Sequence, residues 1–349
     1  MNTTVSAMTT PNPPALFTDL GPLPSSAPTH LWADYVELRA MTSQDKLFSH
    51  GFLQDCIDLA EDVNVDADSS LEEDGLLAAM DHGDFPEDGD GVSTEDERAE
   101  RLSKKWGDIK IALSSREIRM GAARPFHLEG DVLKFELDET NGLHALYVSL
   151  LVSSCLRYVN KKRYAEITDY VEVLGALVFT AIMPKMWNVT IFGAKAPAFT
   201  GTTSQKLRQL AELIRANVMF EDAEINAGSS GDAGLDVVAW HDFGDGLGQI
   251  PVAFAQCGCS PKDIDHKQLE ASPASFNRWI KPHHPAVNYY IAPLDFRSNT
   301  GHWVRKPGEV VLIDRSRIVN ILKNYNQTVT YSAPAFVTEA VAYQVSTGA

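Results

Sequence analysis

The chain has 349 residues, 44% of them hydrophobic, and a formal net charge of −17. That length can bury a sizeable core, most simply as one main domain with a smaller appended region, and the composition is that of an ordinary globular protein. The charge excludes a uniformly basic nucleic-acid binder but leaves room for a local basic face. Of the 47 acidic residues, 18 fall within residues 55–100, where Arg98 is the only Lys or Arg, and elsewhere 29 acidic and 29 basic residues balance.

The first residues, MNTTVSAMTTPNPPALF, lack the basic start and long apolar stretch of a signal peptide. The longest apolar run, Val171–Met183, is interrupted by Glu172 and Gly175 and is too short for a bilayer core of about 30 Å. A cytoplasmic protein without membrane contact is expected. Residues 1–30, rich in Pro, Thr and Ser, predict an extended lead-in. LWADYVELRAM and KLFSHGFLQDCIDLAEDV predict short amphipathic helices. From Asp66 to Asp96 the acidic, Gly-containing composition predicts a solvated linker, with a docking tail or an intramolecular DNA mimic as alternatives. Residues 1–105 thus form an N-terminal extension with an acidic segment at 55–100.

Within 106–139, a connecting region, DIKIALSS and VLKFELDE predict strands or strand–turn units. HALYVSLLVSSCLRYV predicts a buried helix. YAEITDYVEVLGALVFTAIM predicts a second, stopped by Pro184, and residues 203–219 an amphipathic third with a Thr/Ser cap. LDVVAW and QIPVAFAQC read as the two strands of a hairpin around Asp245-Gly246. SPKDIDHKQLEASPASFNRWI carries helical stretches, YYIAPL and EVVLIDR predict strands, and SRIVNILKNY a closing helix. The expected fold class is α/β (α+β), a central mixed sheet flanked by helices over 140–325, followed by a tail at 326–349.

The hairpin carries polar residues that a plain core would not need. An aspartate inside an apolar strand is costly unless it is paired or bound to a cation, so Asp236 requires an explanation. Metal-assisted phosphodiester cleavage needs hard oxygen ligands converging on Mg²⁺, with a lysine nearby to orient water or offset developing charge. Asp236 and Gln256, twenty positions apart, fall on the two strands and can meet at one end. The alternative for Asp236 is a satisfied structural carboxylate, and for Gln256 a hydrogen bond to a strand neighbour. Asp232, in a Ser/Gly-rich turn, reads as a turn residue.

Cys56, Cys155, Cys257 and Cys259 are expected to be reduced, and Cys257 and Cys259 to be buried apolar thiols. A zinc site drawing on them with His266, His283 or His284 would match no common module spacing. GDGLG joins two strands with no GK[ST] following and reads as a turn.

GLDVVAW, the turn and AFAQC, preceded by YVEVLGALVF at 170–179, resemble the PD-(D/E)xK restriction-endonuclease-like superfamily, especially its Mrr-like branch with a D…QxK core. The resemblance covers about residues 140–325 and implies a Mg²⁺-dependent (or Mn²⁺-dependent) endonuclease acting on DNA. It makes Asp236, Gln256 and Glu172 the metal ligands, where the residues alone would leave Glu172 on a solvated helix stripe. The family lysine should stand two positions after Gln256, where this chain has Gly258. Lysine migration to the following helix points to Lys267, with Lys262 as the other choice. The resemblance further implies a prokaryotic restriction or anti-phage defence setting, control by a partner ATPase or sensor protein, and the possibility of a homo-oligomer. Gly258 also leaves open a catalytically inactive nuclease-fold subunit serving as an interaction module. Basic residues Arg278, Lys281, Arg297, Arg305, Lys306, Arg315, Arg317 and Lys323 would neutralise phosphates if several share the active-site face.

Overall fold

The computed structural model describes residues 13–24, 26–63, 95–193, 196–225, 233–261, 263–304, 306–325 and 332–345. Most of the acidic stretch, together with Asp232, Lys262 and Arg305, lies outside the described residues. The elements in chain order begin with α1 (Thr29–Thr42), β1 (Leu47–Ser49), α2 (His50–Val63), α3 (Glu95–Met120), β2 (Phe126–Glu129) and β3 (Val132–Phe135). There follow α4 (Gly142–Ser154), α5 (Tyr164–Ile182), β4 (Asn188–Ile191), α6 (Thr203–Leu213), β5 (Asn217–Val218), β6 (Val237–Trp240) and β7 (Val252–Cys257). The last are α7 (Asp263–Glu270), α8 (Pro273–Phe276), β8 (Ile280–Lys281), β9 (Val287–Ile291), β10 (Val311–Ile313), α9 (Arg315–Tyr325) and α10 (Ala335–Ala342).

The fold is mixed α/β around a five-stranded sheet of order β10-β9-β7-β6-β4. β4, β6 and β7 form an antiparallel meander, whereas β9 runs parallel to β7 and β10 parallel to β9. A β-strand that returns parallel needs a crossover, and α7 and α8 supply it. Alternation on the hairpin divides the core. Val237, Ala239, Ala253, Ala255 and Cys257 face the large cluster built with α1, α3, α4, α5, α9 and α10. Val238, Trp240, Val252 and Phe254 face a second cluster with α6 and α8. Trp240 and Trp279 both belong to that second cluster.

Two expectations are corrected. DIKIALSS is not a strand but the middle of α3. Its buried residues Leu102, Trp106, Ile109, Leu113, Arg116 and Met120 recur every three or four positions, the period of a helix face. The helix expected over 203–219 ends at Leu213, capped at its start by a Thr202/Gln205 capping box. Arg215 then adopts φ 51°, and Asn217 and Val218 turn away to pair with β8.

The described part of residues 1–105 is not peripheral. The amphipathic helix expected at LWADYVELRAM is instead buried almost all round as α1, with its acidic residues Asp34 and Glu37 in the interior, and Leu47–Ser49, expected in the second helix, form β1 before α2 begins at His50. Arg116 contacts Asp34, Glu37 and Asp295 at 2.7, 2.9 and 3.0 Å, Arg124 contacts Glu37 at 2.8 Å, and Arg315 contacts Asp34 at 2.9 Å. Arg315 is fully buried in this network, so it cannot be a phosphate contact. Among the described residues no helix is long and apolar enough to cross a membrane.

α5 lies against β4, β6 and β7, and Gly175 lets it come close. A Cβ at that position would sit 2.7 Å from Cys257 Sγ. Gly175→Val is therefore expected to lower unfolding stability by about 1–3 kcal/mol through overpacking, a shift readable as a reduced urea midpoint.

Candidate active site at the open end of the hairpin

Asp236 stands one residue before β6, where β4, β6 and β7 part. Its N–H donates to Ala255 O at 3.0 Å, and its carbonyl accepts from Phe192 and Gly193 N–H at 2.7 and 3.2 Å. The side chain is buried, and Oδ2 accepts the Cys257 N–H at 2.6 Å. Backbone bonds on both flanks thus fix where the carboxylate sits. This is the device that makes a buried acid tolerable at the end of an apolar strand.

The ladder of β6 and β7 ends at Val237↔Ala255. Asp236 lies just beyond it, and its carboxylate meets the N–H of Cys257, the residue after Gln256. Gln256 is in register with Tyr290 of the parallel strand β9. Its amide is buried, and its Oε1 has no hydrogen-bond partner. Leaving such an acceptor unmatched costs about 1–3 kcal/mol, so the position calls for a donor or a cation. An amide oxygen beside a carboxylate suits a hard divalent ion.

Glu172 reaches the same end from α5. It is half-buried, and its carboxylate lies over Gly193, where any Cβ would collide with it. Gly193 is the residue whose N–H bonds the Asp236 carbonyl, so the helix acid and the strand acid are brought to one place. Lys267, half-buried on α7, acts electrostatically on Cys257, as both acids do. Burial pushes the Cys257 thiol well above its usual range, Asp236 and Glu172 push it further, and Lys267 opposes them. The thiol is accordingly held protonated, which makes Cys257 an apolar spacer and not a thiolate ligand.

The place of the absent strand lysine is occupied. A side chain on Gly258 would run into the Tyr290 hydroxyl, so no residue with a Cβ fits there while Tyr290 stands opposite Gln256. Tyr290, Gly193 and Cys257 are participants that sequence reading did not single out for the site. The alternation in VNYYI held a signal for Tyr290, because it marks which of the two tyrosines shares the Gln256 face.

Among the described residues no group of three His, Cys, Asp or Glu side chains is arranged as a metal set. For the zinc alternative, His283 lies against Gly248 in the turn at the far end of the hairpin from Cys257, and the His266 side chain is outside the described residues. The oxygen set at the open end is two carboxylates and one amide. Several of the later basic residues have partners or places of their own. Arg297 is paired with Asp314 at 2.7 Å, Arg278 stacks on Trp279, and Lys281 sits on β8. Comparison with protein-family models, with curated proteins and with solved structures finds no match to this chain.

Proposed function

We propose that this chain is a metal-dependent endonuclease that hydrolyses DNA phosphodiester bonds, with Glu172, Asp236 and Gln256 holding Mg²⁺ or Mn²⁺ and Lys267 serving as the cationic partner. The observation that carries the reading is the buried Gln256 Oε1 without a partner among the described residues, next in the chain to the Cys257 N–H that the Asp236 carboxylate accepts. It is supported by the order of elements: helix with Glu172, antiparallel meander with Asp236 and Gln256, helix with Lys267, then a parallel strand.

A divalent cation in this set would acidify a bound water and draw charge from the phosphate. The chain's own groups do the rest. The two carboxylates supply the negative charge that holds the ion, and the amide oxygen completes the set without adding a third charge. Lys267 donates N–H bonds toward phosphate oxygens as negative charge grows on them. Asp236, fixed by three backbone hydrogen bonds and the Cys257 N–H, keeps its geometry without reorganisation during the reaction.

A second reading is an interaction subunit that keeps the fold without cutting. Tyr290 filling the space at Gly258 favours it, since the strand lysine cannot be restored by a single substitution. Control by a partner ATPase or sensor protein, a defence role and assembly into a homo-oligomer belong to the same proposal. Plasmid nicking decides between the readings. The nuclease reading expects supercoiled DNA to be nicked with Mg²⁺ or Mn²⁺, EDTA to abolish the activity and Asp236→Ala to lose it. Cleavage that persists in the variant would overturn the site assignment. No cleavage by the wild type, with its native partner present, would favour the interaction subunit.

A further inference from the structure

The outer edge of the sheet carries a cleft that the proposed nuclease site does not use. It opens between the C-terminal end of α5, strand β10 and α9, and encloses about 430 Å³. Small-molecule pockets run from about 300 to 1,000 Å³. Arg119, Arg297 and Arg317 line it together with the carboxamides of Asn320 and Asn324, and no acidic residue does. In a chain of net charge −17 three guanidiniums line one cavity; Arg119 and Arg297 are ion-paired, and Arg317 adds a positive charge with no carboxylate beside it among the described residues.

The two carboxylates closest to these arginines stand behind them, away from the opening. Asp295 and Asp314 are 1% and 0% exposed. Asp295 accepts from Arg119 at 2.6 Å, and Asp314 accepts from Arg297 at 2.7 Å, so both guanidiniums are held in fixed orientations. Arg317 is different. It is exposed, its Nη1 donates to the Leu312 carbonyl at 2.5 Å, and it stacks 5.0 Å from the Trp303 ring centroid. Among the described residues no carboxylate pairs with its side chain. Arg119 also donates to the hydroxyls of Ser316 and Ser115, and Arg297 to the other Asp314 oxygen and to Gly301 O. Of the five N–H donors of a guanidinium, Arg119 and Arg297 thus keep about two each and Arg317 more. The floor is apolar, with Ile182, Tyr289 and Ile321.

Planar forks of donors match phosphate oxygens, and an apolar floor with an aromatic ring matches a flat heterocycle. We propose that this cleft binds a nucleoside phosphate, with its phosphates against Arg119, Arg297 and Arg317 and its base over Tyr289. The site is independent of the nuclease reading. A nucleic-acid backbone offers the same phosphate chemistry, and the test separates the two sources.

Full-length protein is titrated calorimetrically in EDTA, which keeps divalent ions from the Asp236 site, with ATP, inorganic tripolyphosphate, adenosine and a short DNA duplex in turn. ATP is expected to bind saturably, more tightly than either tripolyphosphate or adenosine. Arg317→Ala is expected to weaken ATP by about tenfold or more, the loss of a charge-assisted hydrogen bond. Asn324→Asp, which brings a like charge to the phosphates, is expected to weaken it as well, with the melting temperature of both variants unchanged. Absence of saturable ATP binding, or equal affinity in the wild type and both variants, would overturn the proposal. Tripolyphosphate binding as tightly as ATP would remove its nucleoside half. Displacement of ATP by the duplex through an Arg317-dependent contact would reassign the cleft to a DNA backbone.

Discussion

Glu37→Ala is expected to cost roughly 3–5 kcal/mol of unfolding free energy, a large share of the about 5–15 kcal/mol that holds a typical domain together. Glu37 is fully buried on α1. Its carboxylate accepts from Arg116 at 2.9 Å, from Arg124 at 2.8 Å and from the Tyr147 hydroxyl at 2.8 and 2.9 Å. Truncation takes one of three counter-ions from Arg116 and leaves buried Arg124 with only Glu117 at 3.9 Å, and an under-compensated buried charge is far more costly than the pair was worth. Urea unfolding followed by circular dichroism measures the loss. A shift under about 1 kcal/mol would mean that Asp34 and Asp295 neutralise the arginines unaided. The exposed pair Lys134–Glu129, at 2.6 Å, is the contrasting case, and Glu129→Ala is expected to leave the midpoint unmoved.

The same network makes the fold sensitive to acid. Burial by itself would push the Asp34 carboxyl up, but Arg315 and Arg116 beside it hold it below its ordinary value of 3.8. A carboxylate depressed in the folded state adds stability at pH values above its unfolded pKa. That stability drains away as the pH falls from there through the folded pKa. The network is therefore expected to be intact at neutral pH and to fail only in strong acid.

At the candidate active site the largest effect is expected from Asp236→Asn, which should lower Mg²⁺-dependent nicking by about 10²-fold or more while leaving the fold in place. Asparagine keeps an oxygen for the Cys257 N–H, so the backbone anchors survive and only the charge is removed. Gln256→Glu tests the ligand set without any assay of cleavage. It sets a second buried carboxylate next to the Cys257 N–H that Asp236 accepts, and like charges brought together in a buried place repel. Without a divalent ion the variant is expected to melt below the wild type. Saturating Mg²⁺ or Mn²⁺ is expected to raise it by more than it raises the wild type, because ligand binding to the native state stabilises by mass action. A variant indifferent to either ion would sink the proposed ligand set, whatever the nicking assay shows.

The hairpin was the most legible part of the sequence. Its two compact apolar runs specify the strands β6 and β7, buried along their whole length and paired antiparallel from Val237↔Ala255 to Trp240↔Val252. In α3, IKIAL is β-prone when taken alone, whereas its pattern over 26 residues is helical. α1 is not the amphipathic helix expected, because its polar residues are buried along with its apolar ones. Asp34 and Glu37 look like a solvated face until Arg116, Arg124 and Arg315 arrive from distant segments. Gly258 was illegible for a similar reason. Its meaning lies in Tyr290, brought alongside only by the parallel pairing of β7 and β9.

The charge network also has a timetable. Arg116 follows Glu37 by 79 residues, and Arg315 follows Asp34 by 281. At synthesis rates of about 5–20 residues per second, the N-terminal acids emerge roughly ten seconds to a minute before their last partner. Until then the early helices carry an incomplete set of counter-ions, and Arg116 also waits 179 residues for Asp295. A chain that stops short of residue 315 is thus damaged in its first half as well as its last.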